Sequence, residues 1–310
     1  MKKFITLVAI AALMLSGSTK AQDDVKIGKQ DIKLTSDLMT PEALWAMGRI
    51  GTSEANADGS KIVYQIGYYS VKANKSQQKI AIINADGTGN TTLTAGTKSE
   101  TDPTWYQGKI AFLSGGQLWT MNADGSDRKQ ISKTSKDIEG FKFSPDGSKV
   151  ILLHSIDFNE IIQKNPNDLP KATGRLVTDL MYRHWDHYVE SIQHPFVYEV
   201  SNDGIAANGI DILESEPYEC PMEPFGGMEQ LAWSPDSKSI AYTCRKKTGL
   251  AYSISTDSDI YLYIIGTRET KNLCKPEGYV EPEIDPTTTM KYQKVKIGRA
   301  SCRERVYSGV

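Results

Sequence analysis

Short apolar runs separated by polar turns recur from about residue 56 to residue 274. One series reads NADGSKIVYQI at 56–66, TWYQGKIAFLS at 104–114, FSPDGSKVILLHS at 143–155 and WSPDSKSIAYTC at 233–244. Each is a turn followed by an apolar strand. A second series lies between them: KIAIINADGTGNTTLT at 79–94, QLWTMNADGSDRKQIS at 117–132, FVYEVSNDG at 196–204 and DIYLYIIGTRETKNLC at 259–274. Each of these is a strand, a tight turn and a more polar outer strand. The first and second units repeat after about forty residues, the length of a four-stranded propeller blade. The sequence between the turns excludes helical solenoids of similar period.

The turns carry their own chemistry. Asp58-Gly59, Asp86-Gly87, Asp124-Gly125 and Asp146-Gly147 are Asp-Gly pairs flanked by strands. They suit two-residue hairpins in which glycine supplies a positive φ. Pro145 and Pro235 fix φ just before the reversal. The runs Ile80 to Ile83 and Val150 to Leu153 are continuously apolar, which predicts strands covered on both faces, as between stacked sheets. Trp105, Trp119 and Trp233 recur at strand positions and are assigned to packing between sheets.

Taking 45–94, 102–133, 138–213 and 229–274 as units predicts an all-β, partial β-propeller of about four four-stranded antiparallel blades, with Glu281 to Val295 opening a fifth. A blade buries its faces only against neighbours, so an incomplete ring should leave an apolar face and a tendency to associate. The third unit is interrupted from Asp157 to Pro195, where Leu176 and Leu180 fall on one face of a short helix expected over 174–181.

The two ends read differently from the body. Lys2 and Lys3, the apolar run Phe4 to Leu15 and a small-residue exit predict a secretory signal peptide over 1–21. The string IGRASCRERV at 297–306 looks like a translated sequencing adapter, so 297–310 is taken as non-native read-through and 22–296 as the propeller domain. Without the leader (Lys2, Lys3, Lys20) and the tail (Arg299, Arg303, Arg305, Glu304), the formal net charge moves from −2 to −7. An acidic body offers no electrostatic case for nucleic acid, and nothing after the leader is long enough to span a membrane. Export to the periplasm or beyond is the expected localisation. Setting Cys302 aside with the tail leaves Cys220, Cys244 and Cys274, an odd number that permits one internal bridge at most and does not choose it.

The W-S-P-D-G units resemble the propellers of the TolB type and of the prolyl oligopeptidase family. The segments MTPEALWAMGRIG at 39–51 and LPKATGRLVTDLMYRHWDHYVESIQHPFVYEV at 169–200 are similar to the N-terminal region of bacterial dipeptidyl-peptidases and acylaminoacyl-peptidases of that family, especially the dipeptidyl-peptidase-five type. This resemblance covers roughly residues 35–290, and Tyr182 to Asp186 is its family-specific part. It implies a serine peptidase acting on short peptides, with this propeller over a C-terminal α/β-hydrolase domain. No G-x-S-x-G elbow occurs in the chain, so no catalytic residue is carried over and the chain itself is expected to be inactive.

The resemblance to dipeptidyl-peptidases further implies that acidic side chains on the propeller side hold the free amino group of the substrate, for which Asp186 and Glu190 of the insertion are the candidates. The alternative for both is hydrogen bonding within the insertion. His184, His187 and His194 with Asp186 could be read as metal ligands, but the HWDH spacing places His184 and His187 on opposite faces of a strand, and no metal or cofactor is expected. The competing function is a stand-alone TolB-like propeller binding protein partners in the cell envelope; a hydrolase or lyase with a channel site lacks a convergent acid/base cluster. Homodimerisation of the intact protein stays open.

Overall fold

Residues 27–33, 36–158, 171, 173–180, 182–185 and 187–275 are described by the computed structural model, with 162–163 described by backbone alone. The leader over 1–21, the tail over 297–310, the run 281–295 and Asp186 lie outside the described residues.

A short helix, α1 (Pro41–Ala46), precedes the first sheet; Thr40 caps it by accepting from the Ala43 amide at 3.2 Å. The first sheet is an antiparallel meander of β1 (Arg49–Ala55), β2 (Lys61–Ser70), β3 (Lys75–Asn84) and β4 (Thr91–Thr92). The second repeats that order with β5 (Glu100–Tyr106), β6 (Lys109–Ser114), β7 (Gln117–Met121) and β8 (Lys129–Gln130). The third begins with β9 (Gly140–Phe143) and β10 (Lys149–Asp157). The insertion then adds β11 (Ile162–Gln163), β12 (Leu176–Val177), β13 (Arg183–His184) and β14 (His187–Tyr188) as two small ribbons. β15 (Ser191–Ser201), β16 (Gly204–Ile205) and β17 (Ile210–Asp211) complete the third sheet. The fourth consists of β18 (Leu231–Trp233), β19 (Ser239–Cys244), β20 (Asp259–Ile264) and β21 (Glu269–Asn272), with α2 (Gly249–Ile254) between β19 and β20. Among the described residues no helix is long and apolar enough to cross a membrane.

The four units read from the sequence thus coincide with four antiparallel sheets, and the apolar cores lie between consecutive sheets. Val63, Ile80 and Ile82 of the first pack with Ile110, Phe112 and Met121 of the second. Ala111, Leu113 and Leu118 of the second pack with Phe141, Val150, Leu152 and Tyr198 of the third. Ile151, Leu153 and Val197 of the third pack with Leu231, Ile240, Tyr242, Tyr261 and Tyr263 of the fourth. Alternate residues of one strand therefore serve two cores, which explains why Val150 to Leu153 are all buried.

Polar contacts fix how the inner strands sit against one another. The Trp105 indole donates to the Glu54 carbonyl at 3.2 Å, and the Trp233 indole donates to the Lys142 carbonyl at 3.0 Å. Tyr106 donates to the Gly147 carbonyl at 3.0 Å while its ring stacks on Phe143 at 3.8 Å. Lys142 returns its ammonium to the carbonyls of Met228 and Leu231 at 2.8 and 2.6 Å. Trp119 packs against the core between the first and second sheets and, with Phe112, flanks the guanidinium of Arg128, which pairs with buried Glu100. The three tryptophans are inter-sheet packing residues, as expected.

The Asp-Gly turns depart from the two-residue form. In the first, Asn56 donates to the Lys61 carbonyl at 2.9 Å and Gly59 donates back to the Asn56 carbonyl at 2.9 Å, so four residues form the loop and Gly59 closes it at φ +72. A type I turn followed by a left-handed residue gives this geometry. The aspartate earns its place by accepting amides two residues on: Asp58 from Ser60, Asp86 from Thr88, Asp124 from Ser126 and Asp146 from Ser148, each at 2.9 Å. The fourth unit uses Ser237 at φ +60 where the others have glycine. The expected helix over 174–181 is likewise absent among the described residues: Leu176 and Val177 form β12 against Ile162 and Gln163, and Leu176 is exposed, so no core rewards the helical face.

Phe112 is fully buried, and replacing it with alanine should cost about 3–5 kcal/mol in urea unfolding. Trp233→Phe keeps an aromatic side chain but removes the N–H donor and the volume of the second ring, so it should cost at least about 1 kcal/mol in the same measurement. Two groups set the pH response. His154 is pushed below its usual pKa by burial, with Nδ1 facing the Asp137 carbonyl at 2.9 Å and Nε2 accepting from the Tyr198 hydroxyl at 3.0 Å. Its unfolded counterpart takes up a proton first, so stability is full above about pH 6.5 and declines as pH falls below it. The turn carboxylates are held below the ordinary range by serine and threonine donors, Asp146 first among them through Ser144. Their contribution is present above about pH 4 and is lost as pH falls further. A thermal midpoint measured against pH should show two declines, and His154→Gln should remove the upper one.

Candidate functional site

The insertion leaves the third sheet where β10 and β15 end. These strands stay in register from Lys149 opposite Glu199 to Asp157 opposite Ser191, and the Phe158 amide donates to the Glu190 carbonyl at 2.9 Å. The chain between them turns back through β13 and β14, where Arg183 faces Tyr188 and His184 faces His187. The two histidines are therefore cross-strand partners on a tight hairpin, with ring centroids 6.0 Å apart, and do not lie on opposite faces of one strand. His194 is elsewhere, buried in β15 with Nδ1 2.9 Å from Asp211.

Glu190 stands at the base of the insertion. Its Oε1 accepts from Arg175 Nε at 2.6 Å, and the same guanidinium lies 4.8 Å from the Tyr188 ring centroid. Arg183 lies 5.6 Å from the same ring centroid and donates to the Trp185 carbonyl at 2.7 Å. Trp185 is exposed and meets exposed Phe225 edge-on at 5.1 Å.

A cavity of about 360 Å³ opens between the insertion and the β19–β20 connection. Leu180, Val189 and Ile192 give it apolar walls, with Lys247, Glu219 and Tyr252 facing them. Glu219 is 5% exposed yet carries a carboxylate into this space. The Tyr252 hydroxyl donates to one carboxylate oxygen, and His184 Nε2 lies 3.3 Å from the other. Burial first, and then the neighbouring carboxylate, hold the Tyr252 hydroxyl far above its usual pKa, so it stays a donor. Arg245 lies 4.5 Å from the Tyr252 ring centroid and donates to its carbonyl at 3.2 Å, which fixes α2 against the site. Gly249 opens α2 at φ +59 with the Asp179 carboxylate packed against its Cα, so insertion and connection meet there with no room for a side chain. A cavity lined on one side by apolar side chains and elsewhere by a carboxylate and an imidazole suits a ligand with an apolar body and a cationic or donor head.

Of the residues singled out in the sequence, the structure places Glu190 and His184 on this insertion, whereas Asp186 lies outside the described residues. Glu219 and Tyr252 were not foreseen. They sit in the non-repeating connections after β17 and β19, and no motif links them; only the approach of the third and fourth sheets does.

Meandering four-stranded sheets with cores between neighbours define a propeller-type domain. The comparisons agree with that class. The chain is 45% identical over 245 residues to the dipeptidyl-peptidase 5 of Porphyromonas gingivalis, covering 77% of this chain and 36% of the relative. It is 41% identical over 245 residues to the dipeptidyl-peptidase 5 of Porphyromonas endodontalis, covering 77% and 35%. Among solved structures, an acylaminoacyl peptidase in complex with Z-Gly-Gly-Phe-chloromethyl ketone superposes with a TM-score of 0.50 at 13% identity, over 74% of this chain and 33% of that one, which bears on the fold alone. No family model matches the chain. The chain belongs to the prolyl oligopeptidase family of peptidases and corresponds to a propeller part of such a protein. It spans about a third of the length of the curated relatives it matches.

Tyr252→Phe removes the hydroxyl that serves Glu219 and leaves a buried carboxylate one donor short. It should lower stability by about 1–3 kcal/mol in chemical denaturation at pH 7, and Glu219→Gln in the same background should recover part of that loss.

Proposed function

We propose that this chain is the substrate-gating part of an exported serine dipeptidyl-peptidase, a partial propeller of about four blades that itself performs no chemistry. The observation that carries this reading is the 45% identity to a relative named dipeptidyl-peptidase 5. In the whole protein an α/β-hydrolase domain supplies the nucleophile, and the propeller admits short peptides and orients them. Counting two residues from an amino terminus requires a fixed acceptor for the ammonium group, and a charge-assisted hydrogen bond supplies both the energy and the geometry.

Asp186 and Glu190 are the carboxylates proposed for that role. Support for Glu190 is its place at the base of the insertion, held by Arg175 and only partly exposed. The Arg175 pairing orients the carboxylate and leaves it short of neutralised by a second cation. Glu219, 5% exposed and lining the same cavity, is a third carboxylate in the region. An incoming ammonium there would replace the weak His184 contact and keep the Tyr252 donor.

The test uses the full-length parent protein with dipeptidyl amides, amino-free and amino-blocked. Amino-free substrates should be preferred. Glu190→Gln or Asp186→Asn should raise KM for the free substrates about 10- to 100-fold, the size of one lost hydrogen bond to a charged group, and leave the blocked substrates unchanged. Hydrolysis confined to blocked substrates would overturn the amino-group role, and absence of any peptide-amide hydrolysis would overturn the peptidase reading.

A further inference from the structure

We infer that Cys220 and Cys244 form a disulfide when the protein folds in an oxidising environment, joining the segment after the third sheet to the second strand of the fourth. The odd cysteine count leaves the pairing open in the sequence, and the packing chooses it. Cys220 Sγ approaches the Thr243 carbonyl at 3.6 Å, and Cys244 Sγ approaches the Glu219 carbonyl at 3.4 Å. Each carbonyl belongs to the residue just before the other cysteine, so each sulfur sits about one peptide unit from the other's Cα. The contact is reciprocal, both residues are fully buried, and the two side chains share one core cluster. The Cys220 amide donates to the Gln193 carbonyl at 2.9 Å, which holds its backbone alongside β15 and facing β19.

The sheet itself excludes Cys274 as a partner for Cys244. Cys244 is the register partner of Asp259 on β20, and Cys274 follows β21 on the far side of β20, where its sulfur accepts from the Ile260 amide at 3.2 Å. Two strand spacings separate β19 from β21, about 9–10 Å, beyond the Cα separation of roughly 7 Å that a disulfide tolerates.

In the finished fold, burial pushes the Cys244 thiol up to about 12 and the Cys220 thiol well above its ordinary value. Thiolate is therefore scarce once the segment has packed, and closure belongs to the folding chain. One thiolate attacks glutathione disulfide, releasing one glutathione thiolate and leaving a mixed disulfide; the second thiolate displaces the other glutathione. The two cysteines lose two protons and two electrons, and the glutathione disulfide becomes two thiols. The bond would anchor Glu219, the residue before Cys220, at the cavity floor. The inference is independent of the peptidase reading; export would supply the oxidising compartment in the organism.

The test supplies the oxidant directly. The 310-residue chain is refolded in a buffer of reduced and oxidised glutathione, its remaining thiols are alkylated in denaturant, and it is digested with trypsin without reduction. The expected result is one linked pair, peptide 184–238 with peptide 239–245, that separates on reduction, with Cys274 recovered alkylated. The same digest of chain secreted into an oxidising compartment gives the second measurement if refolding is incomplete, and Cys244→Ser should leave Cys220 alkylated and not rerouted. Recovery of Cys220 and Cys244 both alkylated in both preparations, or either linked to Cys274 or Cys302, would overturn it.

Discussion

The burial of apolar strands between consecutive sheets is the constraint on which everything else in this chain depends. A single four-stranded meander offers two faces and covers neither. Here Ile151 and Leu153 face the fourth sheet while Val150 and Leu152 face the second, so each sheet is completed by its neighbours. Each fully buried side chain of this kind contributes about 1.5–3 kcal/mol, far more than the single indole hydrogen bonds that align the inner strands. Those hydrogen bonds set angle and register: Trp105 on Glu54 and Trp233 on Lys142 repeat one contact at two interfaces.

That constraint also makes the candidate site possible. Because the cores hold β10, β15 and β19 rigidly, their connecting segments can depart from the repeat without unfolding it. The insertion after β10 and the β19–β20 connection leave neighbouring sheets at the ends of their second strands, and they meet at Gly249 and Asp179. Glu219 is buried at that meeting with a tyrosine donor and a histidine beside it. A buried carboxylate is costly unless it is hydrogen-bonded, so the constellation has to be assembled by several segments at once.

Legibility in the sequence followed the range of the forces involved. The unit boundaries were readable because apolar runs and turn residues are local signals, and the residues 45–94, 102–133, 138–213 and 229–274 contain the four sheets except for Glu100 and Thr101, the first two residues of β5. The tryptophans were readable as packing because they recur in phase. Loop length was misjudged: Asp-Gly pairs occur in both two- and four-residue turns, and the Asn56 to Lys61 pairing that distinguishes them is a backbone contact. The helix expected over 174–181 failed because Leu176 and Leu180 stay exposed and form no buried core, and a strand pairing with Ile162 and Gln163 satisfies the backbone instead. Strand alternation puts His184 and His187 on opposite faces only if the strand continues, and the turn at Trp185, with φ +40, reverses it.

The sequence by itself determined the repeating sheet, the residues that fill the cores, the insertion and the family, since each is written in spacing or motif within one unit. Only the tertiary structure decided that Glu219 and Tyr252 share a cavity with His184, that Glu190 pairs with Arg175, and that Cys220 faces Cys244 and not Cys274. These contacts join residues whose spacing along the chain carries no period, and those between the insertion, the segment after β17 and the β19–β20 region are fixed by how one sheet rotates onto the next, a result of packing summed over the whole core.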